Sequence, residues 1–334
     1  MNKIKVLDCT LRDGGYVNNW EFGENAIHDI RNALDEIGVD FIELGFFRDE
    51  LYRRDRSIFS NIDTISQIIG TKNDGTVYGG LIEMANYFPL DKLSYCSEEG
   101  PQALRYSFWK RLTDDAYAYG EQIIKKGYKL CFQPTRIEQY TEEEFVELCK
   151  RFSELNPYAI YIVDTFGLLH ERDLIRYAEI GNEYLAPDII LGYHAHDNMG
   201  QAFKNTCTFL EQDFGERTLQ VDASMFGMGR GAGNLRLEQI LEYLNYAHGG
   251  DYNLSPIYRM WDKYLKDIMK KSPWGYDLAY FITAEHCCNP NYAKYYLEKA
   301  LSVEKIEEII CSIKGEDIYL YSDEKAQKYA EIIK

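Results

Sequence analysis

The sequence lacks the features of membrane-spanning, secreted and zinc-binding proteins. It has no run of about 20 apolar residues, and its first residues lack the basic segment and the apolar core of a signal peptide. Its eight cysteines are scattered, and no Cys-x-x-Cys pair is present for zinc binding or redox chemistry. We therefore expect a cytoplasmic protein with reduced thiols.

Positive charge is also scarce. Lys and Arg number 37 against 54 Asp and Glu, which gives a formal net charge of -17. Nucleic acid and anionic membranes would on average be repelled by such a surface, so we expect neither as a partner. The length of 334 residues and the 46% of apolar residues suffice for a large buried core.

Apolar strand-like runs alternate with amphipathic helical segments. The predicted strands are residues 4–9, 41–46, 77–84, 103–108, 129–133, 159–164, 189–194 and 219–225. The predicted helices are residues 24–37, 113–126, 141–155, 171–183, 201–212 and 235–247. This alternation predicts a (β/α)8 TIM barrel, and the absence of a Gly-x-Gly-x-x-Gly turn after the first strand disfavours a doubly wound open sheet.

The barrel is predicted to occupy residues 1–250, and residues 251–334 are predicted to form a helical C-terminal extension. Bulky side chains of this extension need apolar surface to pack against, so we expect it to cover the barrel mouth or to form an oligomer interface. Within the barrel, Thr141 and Glu144 have the spacing of a capping box, and Gly181 stands where a helix is expected to end.

Two motifs far apart in the chain predict a divalent-metal site. Residues two apart on a strand point to the same face, so His194 and His196 can offer imidazole nitrogens to one ion. Asp13 follows the first strand and precedes two glycines that let the backbone approach a ligand, which makes it the predicted carboxylate ligand. Such a set leaves positions open for water and substrate oxygens, and it favours Mn²⁺ or Mg²⁺ over structural zinc.

A barrel gathers further polar residues at the same end. We predict a catalytic role for Glu43 and substrate contacts for Arg105 and Gln133, with the alternative that Glu43 and Gln133 only hydrogen-bond the strand ends. The glycine-rich loop 222–234 follows the last strand. It can hold an anion on its backbone amides, or it can be a tight turn that packs against the barrel.

Three motifs carry a resemblance to a known superfamily. They are Asp8-Cys9-Thr10-Leu11-Arg12-Asp13-Gly14, His194-Ala195-His196-Asp197-Asn198 and Gly227-Met228-Gly229-Arg230-Gly231-Ala232-Gly233-Asn234. They resemble the signatures of the metal-dependent lyases and synthases that include 3-hydroxy-3-methylglutaryl-CoA lyase, 2-isopropylmalate synthase and 4-hydroxy-2-oxovalerate aldolase. The length and the C-terminal segment are most similar to the aldolase branch.

The resemblance implies roles for individual residues. It supports the three metal ligands named above, makes Arg12 the group that stabilises an enolate, and places Asn234 near the metal as a substrate contact. Pyruvate-forming aldolases have a histidine base shortly after Arg-Asp-Gly, whereas this chain has Tyr16 there. An unperturbed tyrosine is a poor base at neutral pH, so either Tyr16 is an acid or an orienting donor, or the base is another group.

The implied activity is that of a divalent-metal-dependent aldolase that cleaves or forms a 4-hydroxy-2-oxo acid through a pyruvate enolate. Its ligands would be a 2-oxo acid and an aldehyde. The alternatives are a Claisen-type enzyme that uses an acyl-CoA, and a barrel that binds metal and keto acid without turnover. We also expect a homo-oligomer and, by analogy with the aldolases alone, an aldehyde dehydrogenase partner.

Overall fold

Eight parallel strands close into a barrel in the computed structural model, which describes residues 3–86 and 88–333. The strands are β1 (Lys3–Asp8), β2 (Phe41–Phe47), β3 (Ile58–Phe59), β4 (Val77–Glu83), β5 (Ala103–Phe108), β6 (Lys129–Pro134), β7 (Ala159–Asp164), β8 (Ile190–Ala195) and β9 (Thr218–Ala223). The ring closes because β1 pairs with both β9 and β2, while the short β3 pairs only with the end of β2. The predicted (β/α)8 barrel is thus confirmed.

Helices connect the strands and continue beyond the ring. They are α1 (Gly15–Asn18), α2 (Glu24–Ile37), α3 (Ile62–Ile69), α4 (Thr113–Lys125), α5 (Glu142–Ser153), α6 (Glu171–Tyr184), α7 (Ala202–Leu210), α8 (Leu237–His248), α9 (Ser255–Met260), α10 (Lys266–Lys271), α11 (Leu278–Glu285), α12 (Asn291–Glu298), α13 (Val303–Ser312) and α14 (Asp323–Ile332). A π-helical turn, Trp261–Leu265, joins α9 to α10. Within residues 3–86 and 88–333, no helix has both the length and the apolar character that a bilayer span requires.

Alternate strand residues face the two sides of the barrel wall. One set, which includes Leu7, Phe41, Cys131 and Tyr161, forms an apolar core that fills the lower part of the ring. The other set packs against the surrounding helices in the largest core of the molecule. The polar residues of the site lie at the carboxyl ends of the strands, beyond the apolar filling.

Local sequence signals set two features of the helices. The predicted capping box at the start of α5 is confirmed, because the Glu144 amide donates to Thr141 Oγ1 and the Thr141 amide donates to Glu144 Oε2. The prediction that a helix ends at Gly181 is wrong, since α6 continues to Tyr184. A Cβ at Gly181 would lie 2.7 Å from Leu191 Cδ1, so glycine is needed here for close packing of α6 on β8.

The segment after α8 has two parts. Ile257, Met260 and Trp274 belong to the largest core and therefore pack on the barrel. From Ala279 onward, the helices share a separate core, which the loop residue Ala232 also joins. The division of the chain at residue 250 stays a prediction.

Candidate active site

Three predicted ligands converge at the carboxyl ends of β1 and β8. The carboxylate oxygen Asp13 Oδ2 lies 3.1 Å from His194 Nε2 and 3.6 Å from His196 Nε2. One ligand atom from each of the three residues lies within 4.8 Å of the other two, and all three residues are buried. The geometry therefore suits a single divalent ion, as the spacing on the strand predicts.

The second nitrogen of each imidazole has a hydrogen-bond acceptor within the protein. His194 Nδ1 lies 2.8 Å from Asp222 Oδ2, and His196 Nδ1 lies 3.1 Å from the backbone oxygen of Asp164. In this arrangement each ring donates from Nδ1 and presents Nε2 towards Asp13. Metal-ligating histidines are commonly fixed by a carboxylate or a carbonyl in this way.

The loop that carries Asp13 is anchored on several sides. The Asp13 amide donates to the backbone oxygen of Cys9 at 2.8 Å, and Ser57 Oγ donates to the backbone oxygen of Leu11 at 2.6 Å. The indole of Trp20 donates to the backbone oxygen of Arg12 at 2.7 Å. These bonds fix the positions of both Arg12 and Asp13.

Buried charges below the ligands form what we call the interior network: Arg12, Glu43, Arg105 and Asp222. Arg12 Nη1 donates to Asp13 Oδ2 at 2.8 Å, and Arg12 Nε donates to Glu43 Oε2 at 2.6 Å. Arg105 pairs with Glu43 at 2.8 Å and also with Asp222. The side chains of Glu43, Arg105 and Asp222 are completely inaccessible to solvent, so their charges must be paired within the protein.

These contacts shift the pKa values of the ligands in different directions. Burial opposes ionisation of Asp13, but the guanidinium of Arg12 and the hydrogen bonds from the histidines hold its pKa well below the ordinary value. Burial also opposes the charged form of His194, yet Asp13 and Asp222 raise its pKa. Burial lowers the pKa of His196, which favours a neutral ring. An ion would therefore meet an ionised carboxylate and a neutral imidazole, and it would displace the proton of His194.

A cavity of about 610 Å³ opens onto the three ligands. Arg12, Tyr16 and Gln133 line it, whereas Glu43 and Arg105 do not. Asn289, Glu316, Tyr319 and Leu320 of the C-terminal segment form part of its wall. The extension therefore covers part of the barrel mouth, which is one of the two roles expected from the sequence.

Tyr16 faces a carboxylate in this cavity. Its hydroxyl donates to Glu83 Oε1 at 2.9 Å, and Glu83 Oε2 also pairs with Arg48 at 3.2 Å. Burial, reinforced by the charge of Glu83, raises the pKa of Tyr16 above its ordinary value. Tyr16 is therefore protonated at neutral pH and can act as a hydrogen-bond donor.

The glycine-rich loop folds back on itself beside His196. The Asn234 amide donates to the Gly227 oxygen at 3.0 Å, Asn234 Nδ2 donates to the Met228 oxygen, and the Ala232 amide donates to Asn198 Oδ1 at 2.8 Å. Since these groups bond within the protein, the arrangement favours the tight turn over an anion held on backbone amides. Asn234 is 1% exposed and forms a backbone bridge with His196, so it lies close to the ligands.

Comparisons with known proteins agree with this geometry. The HMGL-like family model matches residues 109–260. An oxaloacetate decarboxylase of Mycobacterium tuberculosis is 25% identical over 290 residues, which cover 82% of this chain and 79% of that protein. A 4-hydroxy-2-oxovalerate aldolase of Carboxydothermus hydrogenoformans is 27% identical over 271 residues, which cover 75% of this chain and 74% of that protein. Residues 109–260 therefore resemble an HMGL-like domain, and the chain is similar to members of that superfamily near its aldolase branch.

A solved structure supports the fold of this chain. The N-terminal domain of a candidate aldolase from Bacteroides vulgatus matches with a TM-score of 0.74 and 22% identity, covering 89% of this chain and 100% of that chain. At this identity the likeness shows the fold alone.

HMGL-like proteins depend on a divalent metal ion, and the residues present fit one. Asp13 Oδ1 is buried without a hydrogen-bond partner among the residues that the structure describes, so a ligand-competent oxygen is left over. Both imidazoles present Nε2 to the same carboxylate. This donor set of one oxygen and two nitrogens suits a first-row divalent cation.

The sequence did not identify several residues that shape this site. Asp222 supports His194, but only its register opposite that histidine on β9 reveals the role. Arg136, Arg230 and Tyr319 line the cavity from loops and from the extension, where no periodic pattern marks a side chain as inward-facing. Asp197 accepts a hydrogen bond from the Ala202 amide near the start of α7.

Proposed function

We propose that this protein is a divalent-metal-dependent aldolase that cleaves or forms a 4-hydroxy-2-oxo acid through a pyruvate enolate. The observation that carries the proposal is the cluster of Asp13, His194 and His196 facing a cavity beside the Arg12 guanidinium. Mn²⁺ or Mg²⁺, when bound there, would supply Lewis acidity to the keto group of a 2-oxo acid.

Arg12 is the residue that would meet the developing negative charge. Two of its nitrogens are fixed by Asp13 and Glu43, and the side chain lines the cavity. A guanidinium held in advance stabilises an enolate without reorganisation in the transition state. Glu43 and Arg105 are then positioning residues in this proposal, because they hold Arg12 and Asp222 from the barrel interior.

Tyr16 and Glu83 together offer a route for the proton of the 4-hydroxyl group. In the cleavage direction, Tyr16 Oη would accept this proton while passing its own proton along the 2.9 Å hydrogen bond to Glu83. Such a relay needs no tyrosinate, whose formation burial disfavours. Tyr16→Phe and Glu83→Gln should each lower the rate of cleavage about 10²- to 10⁴-fold, the usual range for one proton-transfer group.

Gln133 and Asn234 are the remaining substrate contacts that we propose. Gln133 is 3% exposed and lines the cavity, and its Nε2 has no partner among the described residues, so it can donate to a substrate oxygen. Asn234 Oδ1 is likewise buried without a partner in the described chain. Its nearness to His196 supports a role at the metal side of the cavity.

The decisive experiment measures pyruvate released from a panel of 4-hydroxy-2-oxo acids, coupled to lactate dehydrogenase, with and without Mn²⁺. We expect metal-dependent release from at least one acid. Arg12→Lys keeps the charge but loses the planar fork, so it should lower turnover about 10²- to 10³-fold. Absence of release from every acid, together with no metal-dependent exchange of the pyruvate methyl protons, would reject the aldolase.

Oxaloacetate decarboxylation is a second candidate. It forms the same pyruvate enolate and releases CO₂ in place of an aldehyde, and the relative from M. tuberculosis carries that name. Metal-dependent production of pyruvate from oxaloacetate, faster than from every aldol acid, would favour this activity. The Claisen-type alternative is weaker, because no cysteine lines the cavity among the residues that the structure describes.

The assembly and location of the protein stay predictions. We propose a homo-oligomer in the cytoplasm, with an aldehyde dehydrogenase as a partner by analogy with the aldolases. Size-exclusion chromatography coupled to light scattering measures the oligomeric state. Co-purification of dehydrogenase activity tests for the partner.

A further inference from the structure

Four basic residues line the cavity besides Arg12, and we call them the cationic wall: Lys110, Arg111, Arg136 and Arg230. They come from three loops, which follow β5, β6 and β9. Three separate segments of a chain with net charge -17 therefore deliver positive charge to the same space. Such a concentration needs a physical reason.

Three members of the cationic wall are linked through shared neighbours. Lys110 Nζ donates to the backbone oxygen of Gln139 at 2.8 Å, and with its amide suitably oriented the side-chain oxygen of Gln139 lies 2.6 and 2.7 Å from the terminal nitrogens of Arg136. The guanidinium groups of Arg136 and Arg230 lie 5.0 and 5.9 Å from the centroid of the Phe166 ring. These contacts place the three cations along one continuous surface.

Arg136 is held in an unusual conformation. Its backbone has a φ of 59°, a left-handed value that residues other than glycine rarely adopt. Its guanidinium lies 3.5 Å from the ring centroid of Tyr319, a residue of the C-terminal extension. Strained non-glycine residues cluster at ligand sites, so this conformation fits a side chain held for binding.

Only part of the positive charge is balanced by the protein. Lys110 pairs with Glu144 at 2.5 Å and Arg136 pairs with Glu138 at 3.0 Å. Arg111 and Arg230 have no carboxylate within 4.0 Å among residues 3–86 and 88–333. The Nε of Arg230 is buried without a hydrogen-bond partner there, although one terminal nitrogen donates to the Thr165 oxygen at 3.2 Å. Three acidic side chains line the same cavity, but Asp13 pairs with Arg12, Glu83 pairs with Arg48, and Glu316 is exposed.

The carboxylate of the keto acid does not account for this charge. In the proposed aldolase that carboxylate would bind at the metal site, beside Arg12. The cationic wall is built from other loops, and the cavity of about 610 Å³ exceeds the need of a short neutral aldehyde. A second anionic group on the substrate would place its negative charge beside Arg111 and Arg230.

We propose that the aldehyde half of the substrate carries an anionic group, a carboxylate or a phosphate, which the cationic wall binds. The inference rests on the proposed aldolase activity and narrows its substrate to 4-hydroxy-2-oxo acids with two anionic ends. Charge-assisted hydrogen bonds from guanidinium groups suit both carboxylate and phosphate oxygens.

The first test compares matched aldehydes as acceptors for pyruvate: succinic semialdehyde against butanal, and glyceraldehyde 3-phosphate against glyceraldehyde. We expect kcat/KM to be about 10- to 100-fold higher for the anionic member of one pair, which identifies the carboxylate or the phosphate. Arg230→Gln and Arg111→Gln should reduce that preference. Arg172→Gln is the matched control, because its side chain is 94% exposed on α6 and lies outside the cavity.

A second test does not need turnover. Calorimetry in the presence of Mn²⁺ compares 2-oxoglutarate with 2-oxopentanoate, which has the same chain length but no second carboxylate. We expect 2-oxoglutarate to bind at least about tenfold more tightly, with the difference lost in Arg230→Gln. Equal affinities for the two acids together with equal kcat/KM within both aldehyde pairs overturn the proposal.

Exchange of the pyruvate methyl protons in D₂O separates this inference from the proposed activity. Exchange without any preference for anionic aldehydes leaves the aldolase standing and rejects the anionic acceptor. Tighter binding of 2-oxoglutarate without exchange or aldol turnover rejects the aldolase and leaves the binding of an anionic group by the cationic wall standing. Circular dichroism of each variant confirms that the fold is intact.

Discussion

The interior network and the cationic wall differ in how completely their positive charges are paired with carboxylates. In the interior network, Arg105 is completely buried between two carboxylates, and Arg12 bridges Glu43 and Asp13. In the cationic wall, Arg230 has no carboxylate partner in the part of the chain that the structure describes. Charges that are paired inside the protein hold geometry, whereas an unpaired charge at a cavity is available to a ligand. The comparison suggests that the network maintains the enolate chemistry and that the wall selects the substrate.

Loss of a ligand should have the largest effect. Asp13→Asn and His194→Ala remove one of three donors, so we expect tight metal binding to disappear, along with exchange of the pyruvate methyl protons. Elemental analysis and calorimetry with Mn²⁺ measure the first effect. His170→Ala, at an exposed position before α6, is the matched control and should bind metal normally. Stoichiometric metal in both ligand variants would show that the ion binds elsewhere.

Breaking the interior network should affect stability as well as activity. Arg105→Met leaves Glu43 and Asp222 buried without their shared cation, which costs about 3–5 kcal/mol. For a chain of this length the midpoint of thermal unfolding should fall by about 4–7 °C. Arg172→Met, at an exposed site, should shift it by less than about 1 °C. An unchanged midpoint for Arg105→Met would mean that the network does not hold the barrel interior.

The buried carboxyl group of Asp8 should make stability depend on pH. Burial outweighs the hydrogen bonds from Thr10 and raises the pKa of Asp8 from 3.8 to about 7. The folded protein therefore binds the proton more tightly than the unfolded chain, so this contribution is fully present below pH 4 and is lost as pH rises through about 7. Denaturant unfolding of the metal-free protein should show that Asp8→Asn lacks this loss, which is on the order of a few kcal/mol. Asp63→Asn, exposed on α3, should retain the wild-type pH dependence.

A change in the cationic wall should have the smallest effect and should be confined to the substrate. Tyr319→Leu removes the ring beside Arg136, and a cation–π contact of about 0.5–2 kcal/mol corresponds to a rise in KM for the anionic aldehyde of about 2- to 30-fold. Exchange of the pyruvate methyl protons should not change, because Tyr319 does not contact the metal ligands. Tyr258→Leu, on an exposed part of α9, provides the control. A loss of exchange in Tyr319→Leu would contradict the division between network and wall.

The barrel, the metal site and the cationic wall differ in how far the sequence alone predicts them. The barrel follows from alternating apolar runs and helical periods, and the two histidine ligands follow from their spacing of two residues at the end of β8. Asp222 pairs with His194 only through the register of two strands, and Arg136 meets Tyr319 only because the extension returns to the barrel mouth. Gly181 shows the opposite error, since a glycine needed for packing against Leu191 has the appearance of a helix end. Contacts between residues far apart in the sequence leave no local pattern, and most of the cationic wall is formed by such contacts.

The pairing of β1 with β9 also has a consequence for the order in which the protein takes shape during synthesis. The Met225 amide bonds to Thr10 Oγ1 across 215 positions of the chain, and His194 meets Asp13 across 181. At 5–20 residues per second, the ribosome needs roughly 10–40 s to make the residues between the first of these pairs. During that interval β1 cannot pair with β9, so one edge of the nascent sheet stays open. The metal ligands come together only after His196 has been made, and the residues of the extension that line the cavity are made later.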